Sequence, residues 1–263
     1  MSNSGHRIKG LAIFSPSANH ELEKRKVTSM LTTAFRQMFL DHFFLNSAVA
    51  NIGDATGLRG ASTAGSFYMS LHTAFPGLAG NQTSSEAAYT GYARKGVTRD
   101  STGWTRSGIV ISPTSHIEFN KCTGGSAESS YFAGLGTDSS GTGNLIAIAG
   151  LGPDPIPFFG ADSGNTIYAP ELVNQTPAWA VNDRIVFYAF TGIASLPTGI
   201  TEGTIYFVKT LSGGTLTISA TAGGAAIDLT ADGAGLIQKL VGITATPPNT
   251  VPRIENTSRF ILL

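Results

Sequence analysis

The spacing of hydrophobic residues changes once along this chain. Between residues 21 and 45, apolar side chains recur three or four positions apart, as Val27, Leu31, Phe35 and Met38 do. That spacing is typical of one face of an amphipathic helix, and two glutamates at its start complement the helix dipole. The pattern therefore predicts a helix over residues 21–45, preceded by an irregular arm.

After this helix the period changes to two. The run SFYMSLHT alternates Phe67, Met69 and Leu71 with more polar neighbours, which is typical of a half-buried strand. Further short runs, bounded by Gly, Ser, Pro or Asn, follow at residues 91–98, 107–112, 115–120, 129–135 and 144–151. Several short strands at regular spacing predict a β-sandwich or a barrel.

Residues 153–180 interrupt the alternation. This stretch is rich in Pro, Gly and Asn, and we predict an irregular connection there. Strand-like runs resume at residues 183–190, 203–210, 213–221, 225–230 and 235–241. Ser-Gly-Gly separates the second and third of these runs and predicts a hairpin turn. The tail VPRIENTSRFILL ends in one more run that predicts a strand.

Composition limits the classes of function. Only 13% of the 263 residues are charged, about half the usual share, and 17 basic residues balance 17 acidic ones. This balance gives no electrostatic footprint for nucleic acid or for an anionic membrane, and no apolar run is long enough to span a bilayer. A chain with so few charges is poorly protected against self-association, which favours a subunit of an assembly.

Candidate catalytic and metal-binding residues are few and isolated. Ser70 and His72 share one face of a predicted strand roughly 7 Å apart, too far for a nucleophile and its base to bond, so we place them on an outer or subunit-facing surface. His20 begins a zinc-protease-like HELEK, but Lys24 replaces the second ligand. The single cysteine, Cys122, is more typical of a buried filler. We therefore predict no catalytic residue, no cofactor and no metal.

Two groups of aromatic residues are candidates for contact with partners. Phe158, Phe159, Tyr168 and Trp179 lie in the Pro-rich stretch and form a predicted interaction surface for a sugar or a protein. The alternative is that they seal the boundary between two domains. The C-terminal half of the helix is apolar on more than one side, so it packs on a sheet or on sister subunits. Its predicted assembly contacts are Phe35, Phe39, Phe43 and Phe44.

Two stretches resemble the small tail-fibre-like structural proteins of tailed bacteriophages. They read FYMSLHTAFPGLAGNQTSSEAAYTGYARKGVTRDSTGWT (67–105) and IEFNKCTGGSAESSYFAGLGTDSSGTGNLIAIAGL (117–151). The family pattern is a strand ending in a Leu-His-Thr-like triplet, a Pro-Gly turn, an Asn-Gln-Thr loop and the run YTGYAR. With the preceding hydrophobic helix, the core of the resemblance covers about residues 34–151.

A second resemblance covers residues 178–235, which are similar to a small β module that recurs in phage structural proteins. Its marks include Leu196-Pro197 with Gly199, and Gly203 before Tyr206. In the usual small family member, a last strand follows soon after the run that resembles LIAIAGL. The resemblance therefore implies that the module is an insertion and that the tail VPRIENTSRFILL closes the first domain.

These observations together predict a mainly β protein with two β domains. The first is a β-sandwich, jelly-roll-like, with an N-terminal helix, and the second is smaller and inserted into it. The predicted boundaries are 1–47 for the arm and helix, 48–154 plus 243–263 for the sandwich, and 155–242 for the inserted outboard domain.

The resemblance implies a non-enzymatic virion structural protein. We expect a tail fibre or collar-type component that attaches through the helix and sandwich and projects the inserted domain, with host-surface contact to a glycan or protein. The alternatives are a capsid decoration protein and a polysaccharide-binding or polysaccharide-degrading tailspike-like protein. An enzyme of that kind needs paired carboxylates in a groove, and no such pair is evident.

The resemblance to phage structural proteins also implies which partners and which location to expect. They are other virion proteins of the tail or capsid and further copies of the chain, in a homo-oligomer such as a trimer. No nucleic acid and no membrane insertion are expected. The expected location is the virion, assembled in the host cytoplasm.

Overall fold

The computed structural model describes residues 31–50, 52, 57, 59–161, 164–189 and 195–261. In this part of the chain the fold is mainly β with one α-helix, as predicted. The elements in chain order are α1 (Thr33–Leu45), β1 (Ser66–His72), β2 (Lys95–Thr98), β3 (Trp104–Ser107), β4 (Val110–Pro113), β5 (Ile117–Glu118), β6 (Glu128–Ser130), β7 (Phe132–Gly136), β8 (Leu145–Gly150), β9 (Ile156–Ala161), β10 (Thr166–Tyr168), a 3-10 helix (Pro170–Asn174), β11 (Arg184–Ala189), β12 (Tyr206–Ser212), β13 (Thr215–Ser219), β14 (Gly233–Leu240), β15 (Ile243–Ala245), β16 (Arg253–Ile254) and β17 (Phe260–Ile261).

Helix α1 begins later than the hydrophobic spacing predicts. Thr32 has extended backbone angles, and its hydroxyl oxygen accepts the backbone N–H of Phe35 at 3.2 Å. A threonine that bonds the backbone in this way is a favoured N-cap, which explains why the helix starts at Thr33. Asn46 ends it in the left-handed conformation. The predicted arm and the first half of the predicted helix lie outside the described residues. Among the described residues, no helix has both the length and the apolar character to cross a membrane.

The first β domain is built on a four-stranded antiparallel sheet in the order β2-β1-β7-β8. Three smaller antiparallel pairings complete it. Strands β3, β4 and β17 form one sheet, β5 pairs with β16, and β6 pairs with β15. The main sheet places apolar side chains on its inner face, where α1 and the smaller sheets cover them.

The three strands after residue 242 all pair with strands that precede residue 131. Ala245 lies opposite Glu128, Arg253 opposite Glu118 and Phe260 opposite Ile111. Between these two sets of strands the chain forms a closed antiparallel barrel in the order β10-β13-β12-β11-β14-β9. Such pairings are those that an inserted domain requires, and the predicted boundaries remain a prediction.

The barrel corrects two parts of the sequence interpretation. Residues 153–180 are not an irregular connection, because they contain β9, β10 and the 3-10 helix. Proline is tolerated here because Pro157 precedes the part of β9 that pairs with β10, which starts at Phe159. The predicted strand at residues 225–230 is also absent, and only Ala226 forms a single bridge to Ser219.

Separate hydrophobic clusters fill the two domains, and a smaller one joins them. The first contains Trp104 and the fully buried Cys122, and the second fills the barrel around Phe187. The joining cluster contains Phe132 from the sandwich and Val186 from the barrel, both fully buried. Each domain therefore has its own core, as an independently folding unit requires.

We predict that replacing residues 155–242 with a short linker leaves a folded first domain. Its free energy of unfolding should fall by about 2 kcal/mol, because Phe132 loses its cover and burying such a side chain contributes roughly 1.5–3 kcal/mol. Circular dichroism melts of this variant measure whether it unfolds cooperatively and with what free energy. The same melts of residues 155–242 alone measure whether the barrel folds by itself. Loss of the cooperative transition in the deleted chain would refute the insertion.

Candidate assembly and contact surfaces

The aromatic residues of α1 divide into two environments. Phe44 is buried, and its ring lies edge-on to Phe67 at 5.3 Å and to Trp104 at 4.9 Å between centroids. Phe43 is half-buried, with its ring centroid 4.9 Å from that of Phe67. Such aromatic contacts hold the helix on the sheet. Phe44, predicted as an assembly contact, is therefore part of the core of its own domain.

The opposite side of α1 is apolar and exposed. Phe35 and Phe39 are 38% and 42% exposed, and Met38 and the preceding Leu31 are similarly open to solvent. We call these four residues the outer face. Exposed apolar side chains scattered singly are ordinary, but four that recur at helical spacing are a candidate interaction surface. Phe35 and Phe39 are thus the two predicted assembly residues that remain available to a partner.

Two arginines of the first domain fix α1 in place. Arg106 forms an ion pair with Asp41. Arg99 donates from Nε to the carbonyl of Phe43 at 2.7 Å, and its guanidinium lies 5.2 Å from the ring centroid of Phe67. A cation at the carboxyl end of a helix complements the helix dipole. The helix is consequently held with its outer face directed away from the domain.

Ser70 and His72 occupy a position that the sequence analysis did not expect. Both are fully buried, and Ser70 Oγ lies 2.8 Å from His72 Nε2. The other ring nitrogen, Nδ1, lies 2.9 Å from the carbonyl oxygen of Ser84. The distance argument was wrong because it measured the strand rise, whereas the imidazole extends along the strand towards the hydroxyl. The placement on an outer surface was also wrong, because both side chains are fully buried and the carbonyl of Ser84, from the loop after β1, lies against the ring.

This buried pair is a structural element of the sheet. Gly134 on β7 leaves the space that the pair needs, since a Cβ atom there would lie 2.6 Å from His72 Nε2 and 2.7 Å from Ser70 Oγ. Burial lowers the pKa of His72 below its ordinary value and keeps the ring neutral. A serine and histidine without access to solvent cannot meet a substrate, so the pair does not form an active site.

A second buried polar group organises the Asn-Gln-Thr loop. Arg94 and Glu86 form a two-pronged ion pair, with Nε–Oε1 and Nη2–Oε2 distances of 2.6 and 2.7 Å. The hydroxyl of Tyr92 donates to the same carboxylate, and burial raises the pKa of that hydroxyl. Arg94 also donates to the carbonyl of Gly141. The residues that carry the resemblance to phage proteins here are therefore structural.

The four predicted aromatic contact residues separate into two pairs. Phe158 and Trp179 are buried in the barrel core, at 1% and 7% exposure, so they cannot contact a partner. Phe159 and Tyr168 are 62% and 50% exposed and lie directly opposite each other on β9 and β10. Alternation along β9 explains the division, because neighbouring side chains point to opposite faces of a strand. The barrel therefore presents two adjacent aromatic rings on its exterior.

The junction between the sandwich and the barrel depends on residues that the sequence analysis did not identify. Gly150 ends β8, and its carbonyl accepts Gln238 Nε2 at 3.1 Å. Gln238 also accepts the Tyr188 hydroxyl at 2.9 Å. The sequence carried no local signal for these residues, and Gln238 lies within the apolar run GLIQKLV.

Apolar contacts surround this hydrogen-bonded junction. Phe75 packs against Phe132 and Tyr188, at 5.6 and 6.3 Å between ring centroids. Gly203 has a φ of +74° and leaves no room for a side chain, because a Cβ atom there would lie 1.9 Å from Phe75. Arg184 of the barrel lies 5.0 Å from the ring centroid of Tyr131. The barrel is thereby held against the first domain by both polar and apolar contacts.

The described residues contain no group of three or more His, Cys, Asp or Glu side chains that could hold a metal ion. Neither do they bring a nucleophile and a base together at a surface. The described residues instead present two apolar surfaces suited to binding a partner. One is the outer face of α1, and the other is the pair of exposed aromatic rings on the barrel.

Comparison with known proteins identifies one family. Residues 32–154 match the family model described as Podophage GP4 fiber I protein gp80. The match spans α1 and the strands β1 to β8, and it confirms the resemblance to phage tail-fibre-like structural proteins. It ends before β9, so the resemblance of residues 178–235 to a recurring phage module remains a prediction. No curated protein and no solved structure matches the chain.

We predict that His72 makes the stability of the first domain dependent on pH. The pKa of His72 in the folded chain lies below its ordinary value of 6.5, which applies to the unfolded chain. At a pH between these two pKa values, the unfolded chain binds the proton more readily than the folded chain does. Stability should therefore be complete above pH 6.5 and fall as the pH decreases through that window. Thermal melts at pH 7.5 and pH 5 measure this loss in the wild type and in His72→Gln.

The two variants differ in a way that isolates the buried ring. His72→Gln should melt at a lower temperature at pH 7.5 but lose less on acidification, whereas His116→Gln, at an exposed histidine, should keep the wild-type profile. Equal losses on acidification in the wild type and in His72→Gln would contradict the assignment.

Proposed function

We propose that this chain is a fibre or collar component of a phage tail, with residues similar to podophage fibre proteins serving as its attachment domain and the barrel projecting outward. The family match over residues 32–154 carries the proposal, because it covers the helix and strands that would form the attachment. Fibre proteins of this kind are structural, and the buried state of Ser70 and His72 agrees with a role without catalysis.

The outer face of α1 is the proposed contact with neighbouring virion subunits. It is apolar, it contains the exposed rings of Phe35 and Phe39, and the contacts of Arg99 and Arg106 hold it rigidly. Burial of such a face on association gains about 25 cal/mol per Å² of apolar surface. Further copies of the same chain are the proposed partners, since virion components commonly form closed symmetric oligomers.

The barrel is the proposed contact with the host surface. Its two connections to the first domain, after Gly150 and before Ile243, lie side by side, because the N–H of Val241 donates to the carbonyl of Leu151 at 2.8 Å. This arrangement leaves the rest of the barrel free to project. Phe159 and Tyr168 present flat apolar faces that can pack against a sugar ring or a protein side chain. This placement supports the proposed host contact at these two residues.

Phage particles that carry chain variants test the proposal. Labelled protein should appear at the tail with about a dozen copies per particle, whereas hundreds of copies on the head would assign a capsid decoration role instead.

We predict that Phe159→Ala combined with Tyr168→Ala leaves incorporation unchanged and reduces adsorption to host cells at least tenfold. The matched control is Val181→Ala, an exposed apolar residue elsewhere in the barrel region. Unchanged adsorption of the double variant would refute host contact at this pair.

We also predict that the outer face of α1 controls oligomer formation. Replacing Phe35 and Phe39 with serine should convert the oligomer to a monomer in light scattering. The melting temperature of the monomer should change little, because exposed positions contribute within about 0.5 kcal/mol to folding.

Two controls separate assembly from folding. Val173→Ser, at an exposed residue of the barrel, should keep the oligomer. Phe44→Ala should instead reduce the free energy of unfolding by about 3–5 kcal/mol, as truncation of a core phenylalanine does. A wild-type chain that is monomeric, or an oligomer that survives both serines, would contradict the proposed contact.

A further inference from the structure

Strand β8 is an edge strand without the usual protection of an edge. Among the described residues it pairs only with β7, at the opposite end of the main sheet from β2. Its sequence, Leu145–Gly150, contains no charged residue and no proline. Edge strands of natural proteins carry such residues or lie under a helix or a loop, because a bare apolar edge promotes aggregation. A covering element is therefore expected at this edge.

A groove of about 660 Å³ lies beside β8. Its lining includes Ile148 and Ala149 of β8, Met69 and Leu135 of the main sheet, Leu236 of β14 and Ile254 of β16. Met69 and Leu135 are 3% and 1% exposed, so the groove opens onto the core of the first domain. Its volume is within the range of ligand pockets, which leaves room for several large side chains.

The groove suits an apolar occupant. Two of its polar side chains already bond to each other, since the hydroxyl of Tyr188 donates to Gln238 at 2.9 Å. The two charged side chains in its lining, Asp154 and Arg259, form an ion pair. A charge brought in by an occupant would be buried without a partner, which costs free energy. Uncharged apolar side chains therefore fit this groove.

The outer face of α1 has the matching chemistry. Its four side chains are 38–46% exposed, and none of them is charged. They occupy positions 31, 35, 38 and 39, which is the i, i+4, i+7 and i+8 spacing of one helix face. An amphipathic helix that binds in a hydrophobic groove uses anchors at this spacing.

This helix lies away from the groove of its own chain. Phe44 of α1 packs against Phe67 and Trp104. Phe67 in turn lies opposite Val97 on β2. The helix is therefore near the β2 end of the main sheet, whereas the groove is at β8, about 14 Å away across three strand spacings. A helix face at one end of the sheet and a groove at the other suit a head-to-tail contact between two copies.

We propose that the outer face of α1 in one copy binds in the groove beside β8 in the next copy, so that each copy provides a helix and receives one. An interface of this kind joins unlike surfaces and produces a closed ring when the rotation between copies closes. The helix would cover the bare edge of β8 and the opening to the core. The inference rests on the proposed function, because both use the outer face of α1, and it adds the surface that receives the helix.

Complementation between two variants of the full chain tests this contact. Phe35→Ser with Phe39→Ser removes the helix anchors, and Ala149→Glu places a charge in the groove at an exposed position. Each variant alone should be a monomer in light scattering, with the dissociation constant for self-association raised by about a hundredfold or more. A mixture of the two should form a 1:1 heterodimer, because one chain keeps the helix anchors and the other keeps the groove. Ala225→Glu, at an exposed alanine of the barrel region, is the matched control and should keep the wild-type oligomer.

The outcomes separate this inference from the proposed function. If the serine variant is monomeric but Ala149→Glu keeps the oligomer, the groove is not the receiving surface, although the outer face still joins copies. Variants that stay monomeric when mixed would also overturn the head-to-tail contact.

A cross-link identifies the receiving surface without a groove variant. With photoreactive benzoylphenylalanine in place of Phe39, the expected product has at least twice the chain mass and contains residues 145–151 of the second chain. A cross-link between two copies of α1 would assign a helix-to-helix contact instead and would overturn the inference, and so would a cross-link to any other surface.

Discussion

The orientation of the whole molecule depends on how the end of β8 is bonded. The carbonyl of Gly150 accepts Gln238 Nε2 of the barrel, and Gln238 Oε1 in turn accepts the hydroxyl of Tyr188. Buried backbone groups must find partners, and these bonds are formed only when the barrel lies at one position against the sandwich. The apolar contacts of Phe75 and Phe132 surround the same point. These contacts hold the barrel in one orientation against the first sheet.

Helix α1 of the first domain has two faces in different environments. Phe44 binds the helix to the core, while Phe35 and Phe39 remain at the surface. The same helix is thus both part of the fold and the most apolar exposed element of the first domain. The family match includes this helix and ends before the barrel.

Polar residues that look like chemistry in the sequence turn out to be structural. Ser70 and His72 are two positions apart in a strand, and Glu86 and Arg94 lie in the stretch that resembles phage proteins. All four have buried partners at hydrogen-bond distance. Buried polar pairs specify one arrangement of the surrounding loops because any other arrangement would leave them unbonded.

The sequence by itself determined the class of the fold, since the period of hydrophobic residues reports local backbone geometry directly. It located the Gly-Gly hairpin of β12 and β13 and most of the other strands. It could not determine which of Phe158 and Phe159 is buried. An alternating run of residues has an inner and an outer face only after the sheet has closed into a barrel. It could not place Ser70 and His72 inside, because that required the loop that carries Ser84 to fold against their face of the sheet. Tyr188 and Gln238 had no local signal, because their partner Gly150 is brought to them only by the tertiary structure.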